Sequence, residues 1–399
     1  MTGPQGARTD WPTVWLAVIA GLIVSAHVGK LPPAMPLVRA DLNLGLVMGG
    51  WATSMFNLTS LLIGAVAGSL SDRIGHLRVL LTGLAALALG GVLGALADTA
   101  PPLLVGRFIE GFGFVTIIVS APSIIVDAAH GPDRRLALGL WSTYMPAGVA
   151  LMMVIAPVLL HTVGWRGLWL ALAALSAAWC GVLWLARRRM PRDHGGPPPL
   201  PLARNLRIGL AAPGPWLLGL CFGVYALQWL ALMVWMPSFL VEQRGMGTGD
   251  AALLTALVVA MNVPANLAAG WMLKRGARRW LLILVSSLVM AASAVGILSD
   301  VLGDGVRYGL CMLFSAVGGF IPASLLAAAP DFSPSRGQLA TVNGMLIQGS
   351  NLGQFAGPPA VAAIVSVYGG WESAVWLIVA MALACAGLAL LIGRAESRL

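Results

Sequence analysis

Four ionisable side chains stand in stretches of the sequence that are otherwise apolar. His27 and Lys30 occur in HVGKLPP, residues 27–33, which follows a run without a charged residue from position 11 to 26. Arg107 and Glu110 occur in LLVGRFIEGFG, residues 103–113. Inside a bilayer each such group costs about 2.5 to 3.5 kcal/mol on insertion scales, so it calls for a partner or a function. These residues are the first candidates for chemistry.

The spacing suggests a site for an anion and a proton. His27 and Lys30 share a helix face because they are three residues apart, and so do Arg107 and Glu110. Arginine cannot release a proton, so the exchangeable proton is expected on Glu110 or on His27, which titrates near physiological pH. Since two cations face one carboxylate, we expect the solute to be a small organic anion. Two alternatives stay open: Arg107 and Glu110 form a self-satisfied pair, or Lys30 is a snorkelling anchor at the outer boundary.

The composition predicts an all-α integral membrane protein. Of 399 residues, 58% are hydrophobic and 10% charged, which is too little charge to cover a soluble surface. Apolar runs of about 20 residues are long enough to cross a bilayer as helices. We predict twelve spans, near 12–38, 44–70, 77–97, 103–127, 137–161, 166–186, 214–240, 251–273, 280–299, 306–329, 338–367 and 372–393.

The basic residues indicate the orientation. Alternate loops and the two termini hold 18 of the 24 Lys and Arg residues, and such loops are cytoplasmic by the positive-inside rule. The protein is therefore predicted to be a multi-pass protein of a bacterial-type inner (plasma) membrane with both termini in the cytoplasm. The net charge of +9 follows from this topology and does not indicate a nucleic-acid partner.

The chain is predicted to consist of two similar halves. Residues 187–213 are basic and rich in Pro and Gly, as expected of a cytoplasmic linker, and they separate helical bundles at 1–186 and 214–399. GSLSDRIGHLRVLL at 68–81 aligns with GWMLKRGARRWLLI at 270–283, and GWRGLWL at 164–170 is similar to GWESAVWL at 370–377. Such internal symmetry is typical of transporters with a solute site between two bundles.

Two motifs resemble the major facilitator superfamily. The loop GSLSDRIGHLR is similar to the signature loop of that family, and LLVGRFIEGFG is similar to the Arg-x-x-Gln-Gly-x-Gly pattern of its proton-coupled exporters, with Glu110 where glutamine is usual. The resemblance implies two pseudo-symmetric six-helix bundles, alternating access, and a cytoplasmic latch in which the loop motif pairs with an acid at the end of the fourth helix. The latch residues are Gly68, Asp72, Arg73, Gly75, Arg78 and Asp127.

The chain is accordingly interpreted as a secondary active transporter, proton-coupled, of a small organic anion or metabolite; the alternative is a proton-coupled drug or metabolite efflux antiporter. Polar residues inside other spans could contact the solute or form interhelical hydrogen bonds worth about 0.6 kcal/mol. The predicted solute contacts are His27, Lys30, Arg107, Tyr225, Gln228, Asn262, Asn351 and Gln354, and the predicted proton carriers are Glu110 and His27.

No enzymatic motif or ATP-binding motif occurs in the sequence. We therefore expect no catalytic activity, no cofactor and no metal, and energy from an ion or solute gradient. The expected partners are the solute, protons and the lipid bilayer, and a monomer is sufficient for this architecture.

Overall fold

The chain folds almost entirely into α-helices. The computed structural model describes residues 8–130, 133–190, 211–299, 301–333 and 339–397, with the side chains of 65, 66, 68–70, 72, 73, 134, 135, 139, 142 and 339–341 outside that description. Within these ranges no strand occurs. A helix satisfies its own backbone groups, which is what an apolar segment needs where no water can do so.

Among the described residues, twelve helices are long enough to cross a bilayer, and they lie close to the predicted spans. The first half has α1 (Trp11–Asp41, interrupted at Lys30), α2 (Leu46–Ile74), α3 (His76–Ala95), α4 (Ala100–Ala128), α5 (144–163) and α6 (165–186), and a short helix, Asp133–Ser142, precedes α5. The second half has α7 (Pro213–Glu242), α8 (Thr248–Lys274), α9 (Arg279–Ile297), α10 (Asp304–Ala328), α11 (Leu339–Tyr368) and α12 (Trp371–Glu396).

Two glycines turn the chain into the last helix of each half. Gly164 has a φ angle of 69° and Gly370 one of 74°, in a region that glycine adopts without strain. Each is followed by a tryptophan, Trp165 or Trp371, that begins the next helix. The equivalent turns support the internal repeat that the two Gly-Trp sequences predict.

Helices α1 to α6 form one bundle and α7 to α12 form a second. In the first bundle α3 packs against α4 and α6, and α1 packs against α4; in the second, α7 packs against α11 and α9 against α12. This confirms the predicted fold class. Most of the predicted linker at 187–213 falls on residues 191–210, outside the described part of the chain, so the domain boundaries stay a prediction.

The two bundles are joined at the end of the molecule opposite both termini, which we call the outer face. Arg39 of α1 pairs with Glu242 of α7, with Nη1 and Oε1 2.7 Å apart. Trp235 donates from Nε1 to the carbonyl of Pro358 at 2.9 Å, and its ring lies 3.3 Å from the place where a Cβ on Gly49 of α2 would be. The structure is thus closed at its outer face.

Candidate functional site

The four ionisable residues of the two apolar stretches meet around one carboxylate. Lys30 Nζ lies 2.5 Å from Oε1 of Glu110, and His27 Nδ1 lies 3.0 Å from the same oxygen. Arg107 donates from Nη1 to the other oxygen, Oε2, at 2.6 Å. Charge-assisted hydrogen bonds of this kind are roughly twice as strong as neutral ones. We call these four residues the ion cluster.

The ion cluster is buried inside the first bundle. Each of its side chains has an exposure of 2% or less, and Lys30 Nζ lies 4.3 Å from the ring centre of Trp169 on α6. The ammonium group of Lys30 therefore lies inside the bundle and is not exposed, which argues against the snorkelling alternative. A buried charge is tolerated only with a partner, and here Glu110 is the shared partner.

Arg107 is held by three helices. Its Nη1 also donates to the carbonyl of His27 on α1 at 3.0 Å, and its Nε donates to the carbonyl of Ala52 on α2 at 3.1 Å. The guanidinium carbon lies 4.6 Å from the ring centre of Phe56, within the range of a cation–π contact. Arg107 is thus a fixed counter-charge, positioned by α1, α2 and α4 together.

Both ring nitrogens of His27 have polar neighbours. Nδ1 lies 3.0 Å from Oε1 of Glu110 and 3.3 Å from Nζ of Lys30. Nε2 lies 3.0 Å from the hydroxyl of Ser176 on α6, which also contacts the carbonyl of Leu172 at 2.9 Å. Because an ionised carboxylate can only accept, a proton on Nδ1 would form a hydrogen bond to Glu110.

Glu110 occupies space that is free only because position 90 on α3 is a glycine. A Cβ on Gly90 would lie 2.8 Å from Cγ of Glu110 and 2.6 Å from the carbonyl oxygen of Gly106. Any side chain at position 90 would therefore press on the carboxylate or force the helices apart. Small residues allow this kind of approach between membrane helices.

A second group of predicted residues forms a hydrogen-bonded set in the second bundle. Asn262 of α8 donates from Nδ2 to the carbonyl of Ser315 at 3.0 Å and to the Tyr225 hydroxyl at 3.3 Å. Asn266 donates to Oδ1 of Asn262 at 2.8 Å. These contacts link α7, α8 and α10, as interhelical hydrogen bonds would.

The remaining predicted amides are less completely bonded. Gln228 is fully buried, and neither of its amide atoms has a hydrogen-bond partner among the described residues; the same holds for Nδ2 of Asn351. Gln354 donates to Ser350 on its own helix at 3.0 Å. Buried polar atoms without a partner are uncommon, so Gln228 and Asn351 are positions where water or a solute could bind.

The predicted latch is only partly described. Gly75 separates α2 from α3 with a φ angle of 105°, as expected of a glycine in a tight turn, while Arg78 and Asp127 are exposed at the ends of α3 and α4. The contacts of Gly68 and the side chains of Asp72 and Arg73 lie outside the description. The ionic contacts of the latch therefore stay a prediction.

Sequence reasoning missed several residues of the site. Ser176, Trp169 and Phe56 complete the walls of the ion cluster, and Arg39 and Glu242 join the bundles at the outer face. A single serine or aromatic residue in an apolar helix gives little signal, because most such residues only pack or bond to their own helix. Among the described residues, no group of three or more His, Cys, Asp or Glu could hold a metal ion.

The chain matches the family model described as Major Facilitator Superfamily over residues 15–348. It is 26% identical over 182 residues to the Tetracenomycin C resistance and export protein of Streptomyces glaucescens, which is 44% of this chain and 34% of that protein. It is 28% identical over 285 residues to Monocarboxylate transporter 11 of Homo sapiens, 69% of this chain and 58% of that one. The chain thus covers about a third and somewhat over half of these two relatives.

A solved structure has the same fold. It is a bacterial homolog to the human lysosomal transporter Spinster in an inward-facing and occupied conformation, which superposes with a TM-score of 0.82 at 16% identity and covers 98% of both chains. The family model matches most of the sequence, and the two-bundle architecture agrees with it. The chain therefore belongs to the major facilitator superfamily of membrane transporters.

Proposed function

We propose that the protein is a secondary active transporter that moves a small organic anion together with a proton by alternating access. The observation that carries this proposal is the contact of one buried carboxylate, Glu110, with Lys30, Arg107 and His27. Buried ion clusters contribute little to stability because desolvation offsets the attraction between the charges. A cluster of this kind inside a membrane is by default a functional-site hypothesis.

The proton is proposed to bind between His27 and Glu110. Nδ1 is the ring nitrogen proposed to carry it, because Nδ1 lies 3.0 Å from Oε1 of Glu110, which when ionised can only accept. Without this proton the cluster carries a net charge of +1, and with it a net charge of +2. The added charge must be balanced inside the bilayer.

The solute anion is proposed to supply that balance. When the proton neutralises Glu110, Lys30 and Arg107 lose the negative charge that balances them. A solute carboxylate can then supply that negative charge. Each ligand then favours binding of the other, and the coupling is reciprocal. Outside the ion cluster, we propose that the solute contacts the polar residues on α7, α8 and α11, namely Tyr225, Gln228, Asn262, Asn351 and Gln354.

Purified protein in liposomes with a trapped pH indicator would test the coupling. Pyruvate, benzoate and succinate are added outside, and the internal pH is followed with and without an imposed pH gradient. We expect at least one of them to enter with protons, and we expect Glu110→Gln to abolish the proton movement while Glu372→Gln, which changes an exposed glutamate, leaves it unchanged. Equal uptake rates with and without the gradient would contradict the proposal, and so would wild-type transport by Lys30→Gln.

A second candidate function is proton-coupled efflux of a drug or metabolite. It is favoured by the spacing of Arg107, Gly111 and Gly113 and by the similarity to an antibiotic resistance and export protein. Expression in a host that lacks its own pumps, followed by growth at increasing concentrations of tetracyclic compounds and lipophilic cations, distinguishes the two. Increased resistance that depends on Glu110 would favour efflux over uptake.

We also propose that the protein is a monomer of the bacterial plasma membrane with both termini in the cytoplasm. The distribution of Lys and Arg, with 18 of 24 in the loops and termini on one side, supports this orientation. A fluorescent reporter that folds only in the cytoplasm, fused to the C-terminus, should be bright, and a dark fusion would reverse the topology.

A further inference from the structure

A cavity lies in the outer half of the second bundle, in the other bundle from the ion cluster. Its volume is about 100 Å³, and its walls come from α7, α8, α9, α10, α11 and α12. Four aromatic residues contribute to the walls, namely Trp235, Phe239, Tyr308 and Trp371. None of the residues proposed for proton or solute binding lines it.

The charged residues of the cavity lie at its outer end. Arg244, Asp304 and Arg307 are the only charged residues among those that line it. Both guanidinium carbons lie 5.6 Å from the ring centre of Phe239. Arg307 is buried and donates from Nε to the carbonyl of Ile297 at 2.7 Å. Arg244 pairs with Asp304, with Nε and Oδ1 3.4 Å apart, and the side chain of Asp304 is 72% exposed. The outer end of the cavity therefore has a net positive charge beside an aromatic wall.

The polar atoms of Tyr308 and Trp235 in the cavity walls already form hydrogen bonds to backbone carbonyls. The Tyr308 hydroxyl donates to the carbonyl of Leu254 at 3.0 Å, and Trp235 Nε1 donates to the carbonyl of Pro358 at 2.9 Å. The rings therefore present their apolar surfaces to the cavity. A matching ligand is apolar in its body and anionic at one end.

We propose that this cavity binds a short-chain monocarboxylate, with the carboxylate at Arg244 and Arg307 and the alkyl chain between the aromatic rings. An apolar cavity of about 150 Å³ admits benzene, which has six carbons, in another protein, so the smaller space here fits a chain of up to about four carbons. The site does not depend on the proposed proton coupling, since it lies in the other bundle and uses other residues.

Occupation of the cavity also acts on the closed outer face. Trp235 forms one wall and at the same time packs toward Gly49 of α2 in the first bundle. A ligand that fixes this ring stabilises the contact between the bundles. The bound carboxylate therefore favours the outward-closed state over the outward-open one.

A chain-length series measured by calorimetry on the purified full-length protein tests the site. From acetate to butyrate, the dissociation constant should fall by about fourfold for each added methylene group, as expected for burial in an apolar cavity, and the gain should stop beyond butyrate. Butanol and butyltrimethylammonium should bind at least tenfold more weakly than butyrate. Affinity that does not depend on chain length, or a cation that binds as tightly, would overturn the proposal.

Variants locate the binding. Arg244→Gln should weaken butyrate binding about tenfold, and Ala374→Leu, which fills the cavity from α12, should move the optimum to a shorter chain. Arg166→Gln is the matched control, because Arg166 is also on the outer face and also pairs with an aspartate, Asp41, but does not line the cavity. It should bind butyrate like the wild type. Full binding of butyrate by Arg244→Gln would place the carboxylate elsewhere and overturn the proposal.

Discussion

The two bundles fill their interiors in opposite ways. Inside the first, the ion cluster is surrounded by α1, α2, α4 and α6, and α3 approaches Glu110 at Gly90 without room for a side chain. Inside the second, an apolar cavity of about 100 Å³ is left open. Counted from the starts of α1 and α7 at Trp11 and Pro213, Lys30 and Leu232 have the same position, and Leu232 lines the cavity.

The difference agrees with the division of tasks that we propose for the two halves of the fold. An apolar interior is the simpler solution for stability, since replacing a buried ion pair by packed hydrophobic residues is often neutral or stabilising. At the equivalent position the second bundle has the apolar Leu232, whereas the first bundle has the charged Lys30. We therefore interpret the ion cluster as a feature retained for coupling and the second bundle as the more apolar support.

The largest expected effect comes from removing the shared carboxylate. Glu110→Gln leaves Lys30 and Arg107 buried without their counter-charge, and breaking such a buried pair costs about 3 to 5 kcal/mol. The free energy of unfolding, measured by denaturant titration in detergent, should fall by that amount.

The double variant Glu110→Gln with Lys30→Gln is the control for this prediction. It restores the net charge of the cluster, so it should be more stable than Glu110→Gln alone, and the coupling energy between the two residues can be calculated from the cycle. If the two losses simply add, the ion cluster is not the interacting unit that its geometry indicates.

Gly90→Ala tests how tightly the first bundle is packed. The new methyl group would meet the α4 backbone and Glu110, and overpacking of this kind typically costs about 1 to 3 kcal/mol. Gly387→Ala on α12 is the matched control, because a Cβ there meets no atom of the described residues within 4 Å. The control should gain about 0.5 to 1 kcal/mol, as alanine does over glycine in a helix. Thermal unfolding of the two variants gives the comparison, and equal effects would contradict it.

Ser176→Ala removes one hydrogen bond from the ion cluster. It leaves Nε2 of His27 without its hydrogen-bond partner, which should lower the free energy of unfolding by about 1 kcal/mol and alter the pH dependence of transport. Ser120→Ala on α4 is the control, because the hydroxyl of Ser120 is buried and bonds only to carbonyls of its own helix. A pH profile that is the same in both variants would remove His27 from the coupling mechanism.

The smallest effect is expected in the second bundle. Ala374→Leu adds volume where the cavity can accept it, so the free energy of unfolding should change by less than about 1 kcal/mol. Ala173→Leu adds the same volume to α6 of the first bundle, where Ala173 Cβ would be 3.0 Å from a Cβ on Gly91, and it should cost about 1 to 3 kcal/mol. Thermal unfolding in detergent compares the two, and a reversed order would show that the bundles do not differ in packing.

Much of the architecture could be predicted from local features of the sequence. The apolar runs gave the helices, because a helix that crosses a bilayer needs about 20 such residues and no partner to form its hydrogen bonds. The Gly-Trp sequences marked equivalent turns at Gly164 and Gly370. Spacing also predicted that Arg107 and Glu110 would share a face, since residues three apart are neighbours on any helix.

The contacts across the bundle could not be predicted in the same way. Lys30 and Glu110 are 80 residues apart in the chain, and their contact depends on how α1 and α4 are rotated against each other. The same holds for Ser176, whose bond to His27 crosses from α6 to α1. The cavity could not be predicted from the sequence either. Its volume depends on side chains from six helices, and each of these side chains taken alone is typical of an apolar span.

The sequence by itself thus determined the twelve helices, the family and the presence of unusual charges within the spans. These properties follow from hydropathy, helix periodicity and short motifs, which act over one or two helical turns. Only the tertiary structure decided that the charges gather around Glu110 inside the first bundle, away from the outer boundary, and that the second bundle keeps an apolar cavity. Those outcomes depend on how the helices pack, since packing selects which side of each helix is buried and which atoms come within hydrogen-bonding distance.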